Sequence, residues 1–206
     1  MHLVCLDLEG VLIPEIWKGL AQLTGIEALE RTTRDEPDYN VLMRYRLGIL
    51  DEHGIGMREI RQVVGSMSPL EGAPQFLNWL RTHTQVIILS DTFYEFAQPL
   101  LDQLDHPTIF CHSLEINSDD RITNYILRQE DQKRHAVNAL RSLQYHVIAA
   151  GDSYNDLSML ESAHHGIFYC PPASIVDAYP CFPVTRNYTE LAAALNHHLK
   201  VPAFEG

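Results

Sequence analysis

The sequence predicts an α/β fold: a doubly wound, Rossmann-like parallel sheet covered by helices, with a small helical cap inserted after the first strand. Three observations lead there. Short runs at residues 3–8, 85–90, 108–111, 147–150 and 166–170 are almost continuously apolar, as strands buried on both faces of a parallel sheet must be. Segments with helical periodicity separate them. One stretch, residues 14–67, shows helical periodicity alone and is too long for a simple strand-to-strand crossover.

Taken in chain order, the first run (3–8) leads straight into the insert. Within the insert, residues 37–50 set Leu42, Met43, Leu47 and Leu50 on one helical face, and residues 57–67 form a second, shorter helical candidate. The expected organisation is a core of residues 1–13 and 68–206 and a cap of residues 14–67. In the core, residues 71–84 carry Phe76, Leu77, Trp79 and Leu80, and residues 92–105 carry Phe93, Phe96, Leu100, Leu101 and Leu104. Residues 133–143 and 156–163 supply further helices. Residues 114–117 and 121–128 alternate roughly and predict an antiparallel hairpin about Ser118-Asp119-Asp120. Residues 187–200 close the chain as a helix, and residues 201–206 are expected to fray. There is no internal repeat and no low-complexity segment.

Composition excludes several function classes. Twenty-seven Asp and Glu face 15 Lys and Arg, a formal net charge of −12. Such a surface repels phosphate backbones and anionic membranes, which argues against nucleic-acid and membrane partners. An apolar fraction of 46% is that of a globular domain. No apolar run approaches the roughly 18 residues that span a bilayer. The start, Met1 to Glu9, lacks a signal peptide's basic and apolar regions, so a cytoplasmic location is expected. Cys5, Cys111, Cys170 and Cys181 form no C-x-x-C pair. The first three lie in apolar runs and read as buried thiols. The neighbouring pairs His164-His165 and His197-His198 lack the i, i+4 spacing of a helical zinc site and read as surface residues. No heptad marks a homodimer interface, although a homodimer is compatible with the sequence.

Three strand ends carry acids. Asp7 and Glu9 end the first strand, Ser90 and Asp91 the second, and Asp152 and Asp156 stand in Gly151-Asp152-Ser153-Tyr154-Asn155-Asp156. Ligands of open α/β sheets bind outside such ends. A lone Asp there is usually a helix cap, and Ser153 and Thr92 also suit caps. Matched acids with a hydroxyl at three ends suit phosphoryl transfer instead. One carboxylate attacks phosphorus, a second moves the proton, Mg²⁺ binds carboxylate and phosphate oxygens, and a hydroxyl and a lysine cradle the phosphate.

These residues resemble the four motifs of the haloacid dehalogenase superfamily, in order along the whole chain: Asp7-Leu8-Glu9-Gly10-Val11 with Glu for the usual second Asp, Ser90 at a strand end, Lys133 ahead of a helix, and GDSYND at 151–156. The resemblance implies that Asp7 is the phosphorylated nucleophile and Glu9 the general acid/base. It implies a Mg²⁺ held by Asp7, Asp152 and the backbone carbonyl of Glu9, and phosphate contacts from Ser90, Lys133 and Asn155. Asp91 and Asp156 would support the site, and Arg134 rivals Lys133. The extra methylene of Glu9 displaces the proton by on the order of 1 Å unless the backbone compensates, a shift that affects rates.

The insert occupies the cap position of the phosphoserine phosphatase branch. There Glu15 suits an amino acid's ammonium group, and Arg46 its carboxylate. As alternatives, Glu15 is a first-turn helix acid after Pro14, and Arg46 a solvated helix residue. The runs DLEGVLIPEIW, RTTRDEPDYNVLMRYRLGILDEHG, LEGAPQFLNWLR and VIILSDTFYEFAQPL resemble the bifunctional phosphoserine phosphatase/homoserine phosphotransferase type, including Ser90-Asp91-Thr92 where ordinary phosphoserine phosphatases have Ser-Gly-Gly. The resemblance implies hydrolysis of L-phosphoserine and transfer of its phosphoryl group to L-homoserine. The competing readings are the same chemistry on a sugar phosphate or nucleotide, and a phosphorylatable interaction module with little turnover.

Overall fold

The computed structural model describes residues 1–32, 35, 36 and 38–205. Thr33, Arg34 and Pro37 of the expected cap and Gly206 of the tail lie outside the described residues. Strand β1 (His2–Leu6) buries Val4 and Leu6 in one apolar cluster and Leu3 and Cys5 in another. Successive side chains leave a strand on opposite faces, so both faces are covered and the run needs no polar alternation. The insert follows as α1 (Ile16–Thr24), a 3₁₀ turn (Glu27–Glu30), α2 (Tyr39–Glu52) and α3 (Met57–Gly65). Asp38 caps α2, its Oδ1 accepting the Asn40 and Val41 N–H groups at 2.8 and 3.2 Å and satisfying donors that a helix start leaves open.

The core resumes with α4 (Ala73–His83), β2 (Gln85–Phe93), α5 (Tyr94–Gln103), β3 (Ile109–Ile116) and β4 (Ile122–Ile126). It continues with α6 (Gln132–Ser142), β5 (His146–Gly151), α7 (Leu157–Ser162), β6 (His165–Tyr169), α8 (Ala173–Ala178), β7 (Val184–Thr185) and α9 (Tyr188–Leu199). The sheet order is β4-β3-β2-β1-β5-β6-β7, parallel except for β4. Residues of α1 to α5 and α9 pack on one face, and those of α6, α7 and α8 on the other. The chain runs outward in both directions from β1, so the crevice of a doubly wound sheet opens at the carboxyl ends of β1, β2 and β5.

Several contacts fasten the insert. Trp17 of α1 meets Phe96 of α5 edge to face, with ring centroids 5.1 Å apart. On the other side it is tied to the β3–β4 hairpin: Asp120 accepts the Met57 N–H at its carbonyl (2.9 Å) and the Arg58 N–H at its carboxylate (2.7 Å), and Tyr125 donates to Asn40.

Several expectations need correction. The strands expected at 108–111 and 114–117 are one continuous β3. β2 runs on to Phe93 through a register shift against β3 after Leu89, so α5 starts at Tyr94 rather than at Thr92; such an irregularity re-aims side chains. α8 and β7 had no expectation. The tail does not fray over 201–205: Phe204 packs on Phe76 and Trp79 at 5.9 and 5.5 Å, and Trp79 donates to the Pro202 carbonyl. Cys5 is buried, but Cys111 is only partly buried and Cys170, just past β6, is exposed.

Candidate active site

Asp7 immediately follows β1, and its N–H bonds the Ala150 carbonyl of β5 at 2.9 Å, fixing it at the crevice. Lys133, in the first turn of α6, extends beneath it. Its Nζ lies 2.8 Å from Asp7 Oδ1, 2.7 Å from Asp156 Oδ1 and 3.9 Å from Asp91 Oδ2. Burial opposes the ammonium charge, but Asp156, Asp7 and Asp91 together hold the Lys133 pKa well above its usual value. Its neighbour Arg134 pairs instead with Asp131 at the surface, so of the two cations it is Lys133 that reaches the crevice.

Asp156 is fully buried, and both its oxygens are committed: Oδ1 to Lys133, and Oδ2 to the Asp152 and Ser153 N–H groups at 2.9 and 3.1 Å. It holds the loop after β5 in shape. That loop carries Asp152 against Gly10, whose φ is +80°. A Cβ on Gly10 would lie 2.5 Å from Asp152 Oδ2, so only glycine admits this approach. Gly151 is under the same constraint, since its Cβ would fall 2.3 Å from Asp156 Cγ.

Oxygens of Asp7, Asp152 and Asp156 all lie within 4.8 Å of one another. Burial first, then Asp156, pushes the Asp7 carboxyl well above the usual carboxylate range and that of Asp152 up to about 7, against the opposing pull of Lys133. Three carboxylates crowded around one ammonium form a set of hard oxygen donors with unbalanced charge, which fits a divalent cation such as Mg²⁺.

A pH dependence follows. Without metal, the folded protein holds protons on Asp7 and Asp152 that the unfolded chain releases near pH 4. The stability they give is therefore present at low pH and is lost as pH rises from about 4 through 7. Asp152 is partly exposed, which discounts the effect to on the order of 2 kcal/mol, or about 4–8 °C in melting temperature. Melting in EDTA between pH 5 and 8 should show this decline, and Mg²⁺ should flatten it. A flat profile in EDTA would contradict the crowding.

The expected acid/base, Glu9, is anchored elsewhere. Its Oε2 accepts the Ile16 N–H at 2.9 Å, at the start of α1. The extra methylene is thus absorbed by reaching the cap helix. Burial raises the pKa of its carboxyl, opposed by the Ile16 N–H and a Thr92 hydrogen bond, and a shift in that direction suits proton transfer.

Ser90 is buried, and its Oγ accepts the Thr92 N–H at 3.3 Å. Asp91 accepts from Asn155 Nδ2 at 3.1 Å and from Gln132 Nε2 at 3.2 Å. Burial alone would raise its pKa; Lys133, these hydrogen bonds and His112 hold it below the usual range. Arg46 is buried, with its guanidinium over the Trp17 ring at 4.5 Å and Nη2 donating to the Arg31 carbonyl at 2.7 Å. Its Nε has no partner among the described residues. Burial lowers its pKa to about 10, and its charge acts on Glu9. Glu15 is half-exposed and pairs with Lys18 at 2.8 Å.

The structure thus brings Asp7, Asp91, Lys133, Asp152, Asn155 and Asp156 into one linked cluster. Glu9 and Arg46 are coupled to each other on the insert side, and Glu15 stands toward solvent. Sequence reasoning passed over Gln132, which also donates to the Ser90 carbonyl. It also passed over His112, whose Nε2 lies 3.7 Å from Asp91, and Tyr39, whose hydroxyl donates to the Asp91 carbonyl at 3.2 Å.

Comparison with known proteins agrees with this geometry. The chain is 56% identical to the phosphoserine phosphatase ThrH of Pseudomonas aeruginosa over 191 residues, 93% of each chain. It is 53% identical to a phosphoserine phosphatase of Pseudomonas syringae pv. tomato, over 93% of this chain and 81% of the other. The fold matches a substrate-bound phosphoserine phosphatase structure with a TM-score of 0.76 at 16% identity, over 95% and 97% of the two chains. The family model of the haloacid dehalogenase-like hydrolases matches residues 1–164, and this chain belongs to that family.

Proposed function

We propose that this enzyme is a Mg²⁺-dependent phosphoserine phosphatase that also transfers the phosphoryl group of L-phosphoserine to L-homoserine through a phospho-aspartate on Asp7. The observation that carries the reading is Lys133 Nζ held between Asp7 and Asp156 at 2.8 and 2.7 Å, beside the three converging carboxylates. Relatives named phosphoserine phosphatase, at 56% and 53% identity, support the substrate.

In this reading, residues 14–67 act as a cap over a core of 1–13 and 68–206. Asp7, Asp152 and the Glu9 carbonyl would hold Mg²⁺, which would offset the repulsion between acids and phosphate. The Asp7 carboxylate, pinned at Oδ1 by Lys133, attacks phosphorus while Glu9 protonates the departing serine oxygen. Ser90, Lys133 and Asn155 bind the phosphoryl oxygens. Asp156 and Asp91 position Lys133. Glu9 then takes the proton of the incoming acceptor, water or homoserine, which attacks phospho-Asp7. Serine and homoserine share an amino-acid end that Arg46 and Glu15 bind alike, and their side chains differ by one methylene, worth only about 1–3 kcal/mol of discrimination.

The buried Arg46 Nε without a partner supports its role toward the substrate carboxylate. Arg46→Ala should raise KM for phosphoserine by about 30–150-fold, the value of a charge-assisted hydrogen bond. It should leave hydrolysis of p-nitrophenyl phosphate within a few-fold. Equal losses on both substrates would point instead to a sugar phosphate or nucleotide enzyme. The direct test of the whole reading is product analysis on phosphoserine with Mg²⁺, with and without homoserine. Phosphate should form without homoserine, and phosphohomoserine in proportion to homoserine added. Phosphate alone in both would remove the transferase half, and neither product would remove the reading.

A further inference from the structure

The end of β2 is irregular where it meets the crevice. Its pairing with β1 stops at Ile88. Its register with β3 passes from Leu89 opposite Phe110 to Phe93 opposite His112, four steps on one strand for two on the other. Ser90, Asp91 and Thr92 fall in this bulge. A bulge disrupts the regular ladder, and a carbonyl that loses its strand partner needs another donor. Two side chains donate here. Gln132 Nε2 donates to the Ser90 carbonyl, and the Tyr39 hydroxyl donates to the Asp91 carbonyl at 3.2 Å.

Gln132 is the more fully committed of the two. It is 2% exposed and opens α6, immediately before Lys133. An amide offers two N–H donors and one acceptor oxygen, and this one uses both ends. Nε2 serves the Ser90 carbonyl and, at 3.2 Å, Asp91 Oδ1, while Oε1 accepts from Arg128 Nε at 3.2 Å. Arginine only donates and a carbonyl only accepts, so the amide cannot turn over without losing all three bonds. Arg128 also directs the neighbouring imidazole. Its N–H donates to His112 Nδ1 at 3.1 Å, which leaves the proton of neutral His112 on Nε2, 3.7 Å from Asp91 Oδ1. The other oxygen of Asp91 faces Asn155 Nδ2 at 3.1 Å and Lys133 Nζ at 3.9 Å.

We propose that Gln132 is a positioning residue for phosphoryl binding, an inference that rests on the phosphoryl-transfer reading above. It fixes Ser90 through that residue's carbonyl. It also fixes the Asp91 carboxylate, whose far oxygen holds Asn155 and faces Lys133. Ser90, Asn155 and Lys133 are the residues assigned to the phosphoryl oxygens, so one buried amide orders all three. Methionine in its place would fill a similar length and leave the Ser90 carbonyl, Asp91 Oδ1 and Arg128 Nε without this partner. Arg46 and Glu15 bond elsewhere, to Arg31 and Lys18. The effect therefore falls on the phosphate and not on the amino-acid end of the substrate.

The test is a titration of inorganic phosphate, and separately of L-serine, into the Mg²⁺-saturated full chain, followed by NMR. In the wild type, phosphate should shift the side-chain amide signals of Gln132. In a Gln132→Met variant with the wild-type circular dichroism spectrum, the phosphate Kd should rise about tenfold or more, the lower end for a hydrogen bond to a charged group, with the L-serine Kd within about twofold. A merely structural role would leave both constants unchanged in the folded variant or raise them together. Gln132 amide signals unmoved by phosphate would overturn the proposal, whatever the folding of the variant. So would a folded variant with the wild-type phosphate Kd, or one that weakens phosphate and serine equally. The substrate is tested apart from this: a wild type that binds phosphate but neither L-serine nor phosphoserine removes the phosphoserine reading, while the phosphate Kd decides the role of Gln132 in either case.

Discussion

Asp7→Asn should reduce phosphoserine turnover by about 10⁴-fold or more, the scale on which loss of a covalent nucleophile is felt. The same change should not destabilise the metal-free protein. Burial, Asp156 and Asp152 all disfavour charge on Asp7, so an uncharged isostere relieves repulsion. The amide oxygen can still accept from Lys133, which keeps Asp156 at 2.7 Å. Thermal melting in EDTA should therefore stay level or rise, while the stabilisation given by added Mg²⁺ shrinks. Acid-quenched enzyme incubated with labelled phosphoserine should carry no protein-bound phosphate. Turnover near that of the wild type, or retained label, would remove Asp7 from the nucleophile's place. The split between lost activity and kept stability separates this outcome from simple misfolding.

How much of this was legible in the sequence depends on how each residue is held. Asp7, Ser90 and Asp152 stand where apolar runs stop, and a run that stops in an acid or hydroxyl at a sheet's carboxyl end is a pattern. The buried strands were legible for a related reason: Leu3–Leu6 covers both faces of β1, so its composition is unmixed. Lys133 was legible only through the motif resemblance, because its partners Asp7 and Asp156 lie 126 and 23 residues away. Gln132, His112 and Tyr39 were not legible at all. Each is a single polar residue whose partner is set by tertiary approach, and no spacing announces it. β7 has two residues, too few for any period. The docking of Phe204 depends on one aromatic meeting Phe76 and Trp79, more than 120 residues earlier. Cys170 reads as strand because Phe168 and Tyr169 do, yet the chain leaves the sheet one residue sooner.

The insert and Glu9 are structurally joined. Glu9 reaches the first N–H of α1, and Tyr39 of α2 reaches the Asp91 carbonyl. Both contacts join the insert to strand ends, so a shift of α1 or α2 alters Glu9 and Asp91 directly. With Asp7 and Lys133 only 4% and 2% exposed, the proposed role of residues 14–67 as a cap entails such a shift on substrate entry.

Lys133→Met tests the electrostatic centre of the site. Methionine matches the length of lysine's stem without its charge, so lost packing is small and the lost ammonium dominates. Asp7, Asp156 and Asp91 then face one another without their shared cation. Removing one member of a buried ion pair costs about 3–5 kcal/mol, the upper part of which would leave a domain of ordinary stability barely folded at neutral pH. The sign with pH is fixed by the carboxylates. With lysine gone, the pull that lowers the pKa values of Asp7 and Asp91 is lost, so protonation relieves the repulsion at low pH. The deficit is therefore greatest at pH 8, shrinks toward pH 5, and is partly recovered by Mg²⁺. Activity should fall by about 10²–10³-fold, the effect of losing one preorganised donor to the transferring group. Lys133→Arg should not rescue it, because a planar guanidinium does not fit a position 2% exposed between two carboxylates. Urea unfolding of the variant at pH 5.5 and 8, with and without Mg²⁺, decides the matter. Equal stability loss at both pH values would show that Lys133 contributes packing rather than charge, and the crowded-carboxylate account of the site would fail with it.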